Sequence, residues 1–143
     1  MKFSDGLWLN QRGYDVSYAV QAYDVTTTKN TIKIYATSSA IWNRAMTLGG
    51  VTFEITYTAV APDVIRVHIC HHKGSLKNKP QFDLNLPEGY VPDEIHEEEG
   101  FVSMTAGHTT VKVKKGTDGW DVSFSRDCLL YTSPSPRDLS TSR

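Results

Sequence analysis

Between Val51 and Leu86 the chain alternates so regularly that it leaves little choice of fold. Val51, Phe53, Ile55, Tyr57 and Ala59 put an apolar side chain on every second position, with Thr52, Glu54, Thr56 and Thr58 between them. Successive side chains of an extended strand point to opposite faces, so a period of two describes a strand with one buried face and one wet face. Ala61-Pro62-Asp63 interrupts the run with a turn whose proline pre-sets its own φ, and Ile65, Val67 and Ile69 then resume the alternation against Arg66, His68 and Cys70. The two runs predict a β-hairpin. A polar loop from His71 to Pro80 leads to a third alternating run, Phe82, Leu84 and Leu86. Three antiparallel strands in a row hold together only if a second layer covers their apolar face.

The flanking sequence supplies strands for that layer. Leu7, Trp8 and Leu9 lie between Asp5-Gly6 and Gly13 and read as an extended segment pinned by Trp8. Tyr14 to Val25 reads as a strand with apolar residues on both faces. Thr26 to Asn30 is a turn, and Ile32, Ile34 and Ala36 alternate after it, which gives a second hairpin. Ile41 to Leu48 has the spacing of a short helix, but its brevity and the Gly49-Gly50 stop favour an irregular strand.

Beyond the third run, Pro87 to Pro92 is a loop, and Glu94 to Gly100 continues it with four carboxylates. Phe101, Ser103 and Thr105 alternate with Val102 and Met104. Thr109 to Lys114 turns its valines in and its lysines out, as a strand at a sheet edge does, and Gly116 to Gly119 turns into Trp120, Val122 and Phe124. Eight or more short strands with turns every eight to twelve residues predict an all-β antiparallel sandwich.

At 143 residues the chain is long enough for one domain with a real core. A (β/α)8 barrel needs roughly 200 residues or more and does not fit in it. A net charge of −1 with interspersed signs offers no basic face to nucleic acid, and no apolar run approaches the ~18 residues that span a bilayer. The polar opening Met1-Lys2-Phe3-Ser4-Asp5 does not read as a secretory signal, and two distant cysteines make no disulfide framework. A cytoplasmic setting is the expectation.

Few residue groups carry chemistry. His68, Cys70, His71 and His72 are the one cluster of metal-type ligands, and His68, Cys70 and His72 share a strand face. A further ligand at fixed spacing is missing, since His96 and His108 sit in unrelated loops, so the cluster reads as a solvated strand end with no metal and no cofactor. It also lacks a residue to orient a base for a thiol nucleophile. Glu97, Glu98 and Glu99 are consecutive and cannot be aimed at one glycosidic bond from two sides. They read as a solvated run. Trp8, Trp42, Trp120, Tyr14, Tyr18 and Tyr90 suit the flat face of a sugar ring, but alternation turns most of them inward. No catalytic residue is assigned, and none is named as sugar-binding.

Cys128 to Arg143, CLLYTSPSPRDLSTSR, leaves the pattern. Its Ser-Pro repeats and lack of periodicity read as a disordered tail, and it resembles the peptide produced when sequencing-adapter DNA is translated. The expected domain is therefore 1–127, with 128–143 an appended tail.

Several stretches together resemble one family. They are Phe3-Ser4-Asp5-Gly6-Leu7-Trp8-Leu9, Val20 to Val25, Asn30 to Ala36, Val64 to Ile69 with His72-Lys73-Gly74, Pro80 to Asn85, Ala106 to Gly116 and Trp120 to Phe124. In colinear order they resemble the amino-terminal β-sandwich of glycoside hydrolase family 31, in particular its bacterial α-xylosidases. The resemblance implies a galactose mutarotase-like sandwich, incomplete at its carboxyl end, that packs on a (β/α)8 barrel and rims its substrate pocket. In that family two barrel aspartates perform retaining hydrolysis of an α-glycoside without a metal. Neither has a counterpart in this chain, so the resemblance implies a non-catalytic region of an α-glycosidase of α-xylosidase or α-glucosidase type. The implied partners are the parent's barrel and, through it, an α-glycoside. A free-standing carbohydrate-binding module is the alternative, and a subunit-contact domain of an oligomer a third.

Overall fold

The computed structural model describes residues 12–13, 15–71, 74–75, 85–116, 119–127 and 129–132. Among the described residues nine strands form two antiparallel sheets, and the fold is an all-β sandwich. The first sheet runs β1 (Gln21–Thr27), β2 (Thr31–Thr37), β3 (Thr52–Ala61), β4 (Val64–Cys70) in spatial as well as chain order. The second runs β5 (Glu94–Glu97), β6 (Phe101–Ala106), β7 (Thr109–Lys114), β8 (Val122–Arg126), β9 (Leu129–Thr132), again in chain order.

Alternation decides which side chains enter the core. Ile32, Ile34 and Ala36 of β2 and Ile55, Tyr57 and Ala59 of β3 are buried, and the register pairs Ile34 with Ile55 and Ile32 with Tyr57. The facing sheet contributes Val102, Met104 and Ala106 from β6, Val111 and Val113 from β7, and Val122 from β8. Outward positions form cross-strand pairs of their own. Lys33 Nζ lies 3.1 Å from Glu54 Oε2 and 4.9 Å from the centre of the Tyr35 ring, while Lys112 Nζ stands 3.6 Å from the centre of the Phe101 ring.

Both expected hairpins of the first sheet form. In the turn between β3 and β4, Pro62 is followed by Asp63 at φ 63°, a left-handed conformation that aspartate tolerates better than most residues. Other expectations are corrected. The strand expected from Tyr14 begins only at Gln21; Val16, Tyr18 and Val20 keep their alternation but are exposed, because only the backbone N–H of Val20, bonded to the Thr37 carbonyl at 2.8 Å, extends the ladder. Ile41 to Leu48 is not a strand. Arg44–Leu48 forms a 3-10 helix capped by Asn43, whose side chain accepts from the Ala45 N–H, and none of its residues is buried.

The carboxylate stretch is not all loop, since Glu94–Glu97 pairs with β6. Strand β7 is no edge, because β6 and β8 flank it; its lysines point outward from the middle of a sheet. Leu129–Thr132, expected in the disordered tail, pairs with β8 across a turn at Asp127, where φ is 50°. The expected strand over Phe82 and Leu84 lies outside the described residues, as does the segment around Trp8.

Among the described residues the sheets are tied together at three places. Ala22 of β1 bridges to Gly116 after β7. The Thr27 hydroxyl donates to Glu97 Oε2 at 3.0 Å, and Glu97 Oε1 is 2.8 Å from Lys115 Nζ. The third tie joins two turns: the Asp63 N–H donates to the Ala106 carbonyl at 3.1 Å, and Asp63 Oδ1 accepts from the His108 N–H at 2.5 Å.

Candidate functional site

On the β4 side the sandwich stays open. An apolar groove of about 340 Å³ runs between the sheets, floored by Phe53, Ile55 and Tyr57 of β3 and walled by Val67 and Ile69 of β4. Val122 and Phe124 of β8, with Trp120 just before them, make the opposite wall, and Ser17, Tyr18 and Ala19 form the rim. Register puts the β4 wall on the inner face: Val67 pairs with buried Tyr57 and Ile69 with buried Ile55. Yet Val67 is 40% and Ile69 61% exposed, and Tyr18 at the rim is 53% exposed. Inward-facing aliphatic residues this accessible belong to a core surface that the described residues leave partly open.

Among the described residues the lining carries no charged side chain, and its polar side chains are those of Ser17, Tyr18, Tyr57 and Trp120. Burial alone pushes the Tyr57 phenol well above the usual tyrosine range. Among the described residues no carboxylate, histidine or thiol enters the lining, which suits it to bury apolar side chains or to stack on an apolar face.

The residues singled out in the sequence fall elsewhere. His68 and Cys70 lie on the outward face of β4, opposite Thr56 and Glu54. His71 is turned toward Phe53, ring centres 6.3 Å apart, and His72 lies outside the described residues. Among the described residues no three His, Cys, Asp or Glu side chains converge as a metal site would require.

Glu97 is occupied by Lys115 and Thr27. The Lys115 ammonium, and next the Thr27 hydroxyl, hold its carboxyl below the usual range. Glu98 accepts from His96 Nε2 at 2.8 Å. Of the six aromatics, Trp42 is 65% exposed and Tyr18 is exposed; Tyr90 and Trp120 are half-buried, and Trp8 and Tyr14 lie outside the described residues. Tyr23 on the edge strand β1 is exposed as well.

Sequence reasoning took Val67 and Ile69 as core. Their parity does mark the inner face, but parity carries no information on whether that face is covered. Among the described residues no helix is long and apolar enough to cross a membrane.

No family model matches the chain. The α-xylosidase XylQ of Lactiplantibacillus pentosus is 28% identical over 141 residues, which is 99% of this chain and 18% of XylQ. That match extends past Asp127 into the stretch set apart as a tail. An α-xylosidase of Emericella nidulans is 28% identical over 113 residues, 79% of this chain and 14% of that enzyme. The chain thus spans less than a fifth of the length of these curated relatives, and what it is similar to is one small part of two α-xylosidases.

Proposed function

We propose that this chain is the non-catalytic amino-terminal β-sandwich of a larger retaining α-glycosidase of the α-xylosidase type. In the parent it packs on a (β/α)8 barrel and rims the pocket that receives the α-glycoside, in the cytoplasm. The observation that carries this reading is the similarity along 99% of the chain to 18% of an α-xylosidase. The all-β fold supports it, since the chain forms the two antiparallel sheets of such a sandwich.

The test is to read the source DNA onward from the codon for Asp127. A long α/β region with well-separated aspartates is expected, and a stop codon directly after Arg143 overturns the reading. In this account 128–143 is an appended adapter translation, although Leu129–Thr132 pairs with β8, and the same sequence decides that point. Purified, the chain is expected to leave aryl α-xylosides intact; turnover by it refutes the non-catalytic role.

The exposure of Trp42, Tyr23 and Tyr18 favours a second reading, a carbohydrate-binding module. Calorimetric titration with xylo-oligosaccharides separates the two, since a packing domain gives no saturable heat.

A further inference from the structure

We infer that the loop between β2 and β3, residues 38–51, is a docking surface for the rest of the parent polypeptide, with Trp42, Met46 and Leu48 as its anchors. The inference rests on the reading that this chain is one part of a larger α-glycosidase. Three observations carry it. First, the loop is firmly built. The Ser38 N–H donates to the Val51 carbonyl at 2.9 Å, and the Ser38 hydroxyl accepts from the Val51 N–H at 2.7 Å, so its two ends are held together. The Ile41 N–H donates at 2.7 Å to Oε1 of Gln21, a buried side chain, and Asn43 caps the Arg44–Leu48 helix. Yet residues 42–50 are all exposed. Ordering a backbone costs conformational entropy, and within this chain little burial of the loop's large apolar side chains offsets it.

Second, what the loop presents outward is apolar. Trp42 is 65%, Met46 39% and Leu48 93% exposed. Its polar side chains turn back on its own backbone: Asn43 Oδ1 accepts from the Ala45 N–H at 3.0 Å, the Thr47 hydroxyl donates to the Arg44 carbonyl at 2.8 Å, and the Ser39 hydroxyl donates to the Gly49 carbonyl at 3.0 Å. A sugar needs hydrogen-bonding partners beside the ring on which it stacks, and here these groups are committed to the loop itself. Tryptophan, methionine and arginine are the residue types enriched where proteins meet. The loop carries no carboxylate and one cation, Arg44, so the surface that fits it is apolar with an acidic edge.

Third, the occupant is at hand. The chain matches 18% of XylQ along 99% of its own length, so the greater part of a parent of that kind lies outside it, joined to it in one polypeptide. A covalently joined partner is present at high effective concentration, so a patch of three side chains is enough to hold it in place.

The experiment is hydroxyl-radical footprinting, read by mass spectrometry, of the 143-residue chain and of the full-length parent expressed from the source DNA. Trp42 and Met46 are expected to be oxidised readily in the 143-residue chain and to be protected several-fold in the parent. Trp42→Ser with Leu48→Ser, made in the parent, is expected to speed proteolytic separation of the sandwich from the remainder. Where that variant fails to fold, protection in the unaltered parent decides.

Equal oxidation of Trp42 and Met46 in both proteins overturns the proposal while leaving the chain a part of the parent. Protection that appears in the 143-residue chain on concentrating it assigns the loop to a second copy, and protection there by xylo-oligosaccharides assigns it to a sugar; either overturns the proposal. A source reading frame that stops directly after Arg143 removes the parent itself, and the proposal then falls together with the reading it rests on.

Discussion

The Asp63 carboxylate, in the turn of one sheet, accepts the backbone N–H of His108, in the turn of the other, at 2.5 Å. Its second oxygen is 3.3 Å from Arg126 Nη2, and the Thr109 hydroxyl donates to the Asp63 carbonyl at 3.2 Å. The neighbouring Gly107, at φ 61°, packs so closely that an added Cβ would collide with the Asp63 side chain and approach its backbone N to 3.0 Å. Gly107→Ala therefore meets a steric conflict as well as an unfavourable φ. It is expected to destabilise the fold by about 1–3 kcal/mol, read from the urea midpoint. Asp63→Gly separates the two contributions: glycine suits the left-handed φ, so a net loss of about 1 kcal/mol measures the carboxylate bonds.

Ile34 and Met104 are fully buried in opposite sheets. Replacing either by alanine removes three buried heavy atoms and leaves a cavity that strands held on both sides cannot collapse. A loss of about 2–5 kcal/mol is expected for each. Leu48, 93% exposed on the 3-10 helix, is the control. Leu48→Ser is expected to stay within about 0.5 kcal/mol of the parent in the same urea titration.

The strands were legible in the sequence wherever one face is buried and the other wet. The Ile32-Ile34-Ala36 and Val102-Met104-Ala106 alternations name the core directly, because burial and period coincide there. Neighbours were not legible: lysines along β7 mark its solvent face, and side-chain parity does not say what the backbone pairs with. The spacing of Ile41 to Leu48 allowed a helix, but a run this short with Gly49-Gly50 after it fits a strand as well; the Arg44–Leu48 helix buries none of its residues and is fixed locally by the Asn43 cap. β9 was hidden by the proline-rich residues after it, which dominate the composition of a strand only four residues long. The groove was half legible. Its wall residues could be placed on a face, but the openness of that face is a property of the packed sheets.

Glu97 links the first sheet to the second through Thr27 and Lys115. The Lys115 ammonium, and after it the Thr27 hydroxyl, hold its carboxyl below the ordinary value of 4.5. A carboxyl depressed in the folded state stabilises the fold above its unfolded pKa, and that contribution is lost as pH falls through the folded value. Stability is thus expected to decline on the acid side of pH 4.5. Glu97→Gln makes that limb shallower while changing little near neutrality, because the pair is partly exposed and screened. Urea midpoints between pH 3 and 7 check this, and parallel curves for the two proteins contradict it.

At the alkaline end the same reasoning applies to Tyr57 with the opposite limb. Its phenol is raised from 10.0 because burial disfavours the phenolate. Its ring lies in the floor of the groove, 6.4 Å centre to centre from Phe124. The unfolded chain ionises this group near pH 10, whereas the folded chain keeps it neutral. Its contribution to stability is therefore complete below pH 10 and is lost as pH rises through the folded value. Two measurements follow. Absorbance titration at alkaline pH is expected to leave Tyr57 un-ionised until the chain unfolds, and Tyr57→Phe removes that delayed step. The variant also unfolds at a higher pH than the parent, since its unfolded state no longer gains a phenolate at this position. If Tyr57 instead ionises before the chain unfolds, the floor of the groove is wetter than its burial implies.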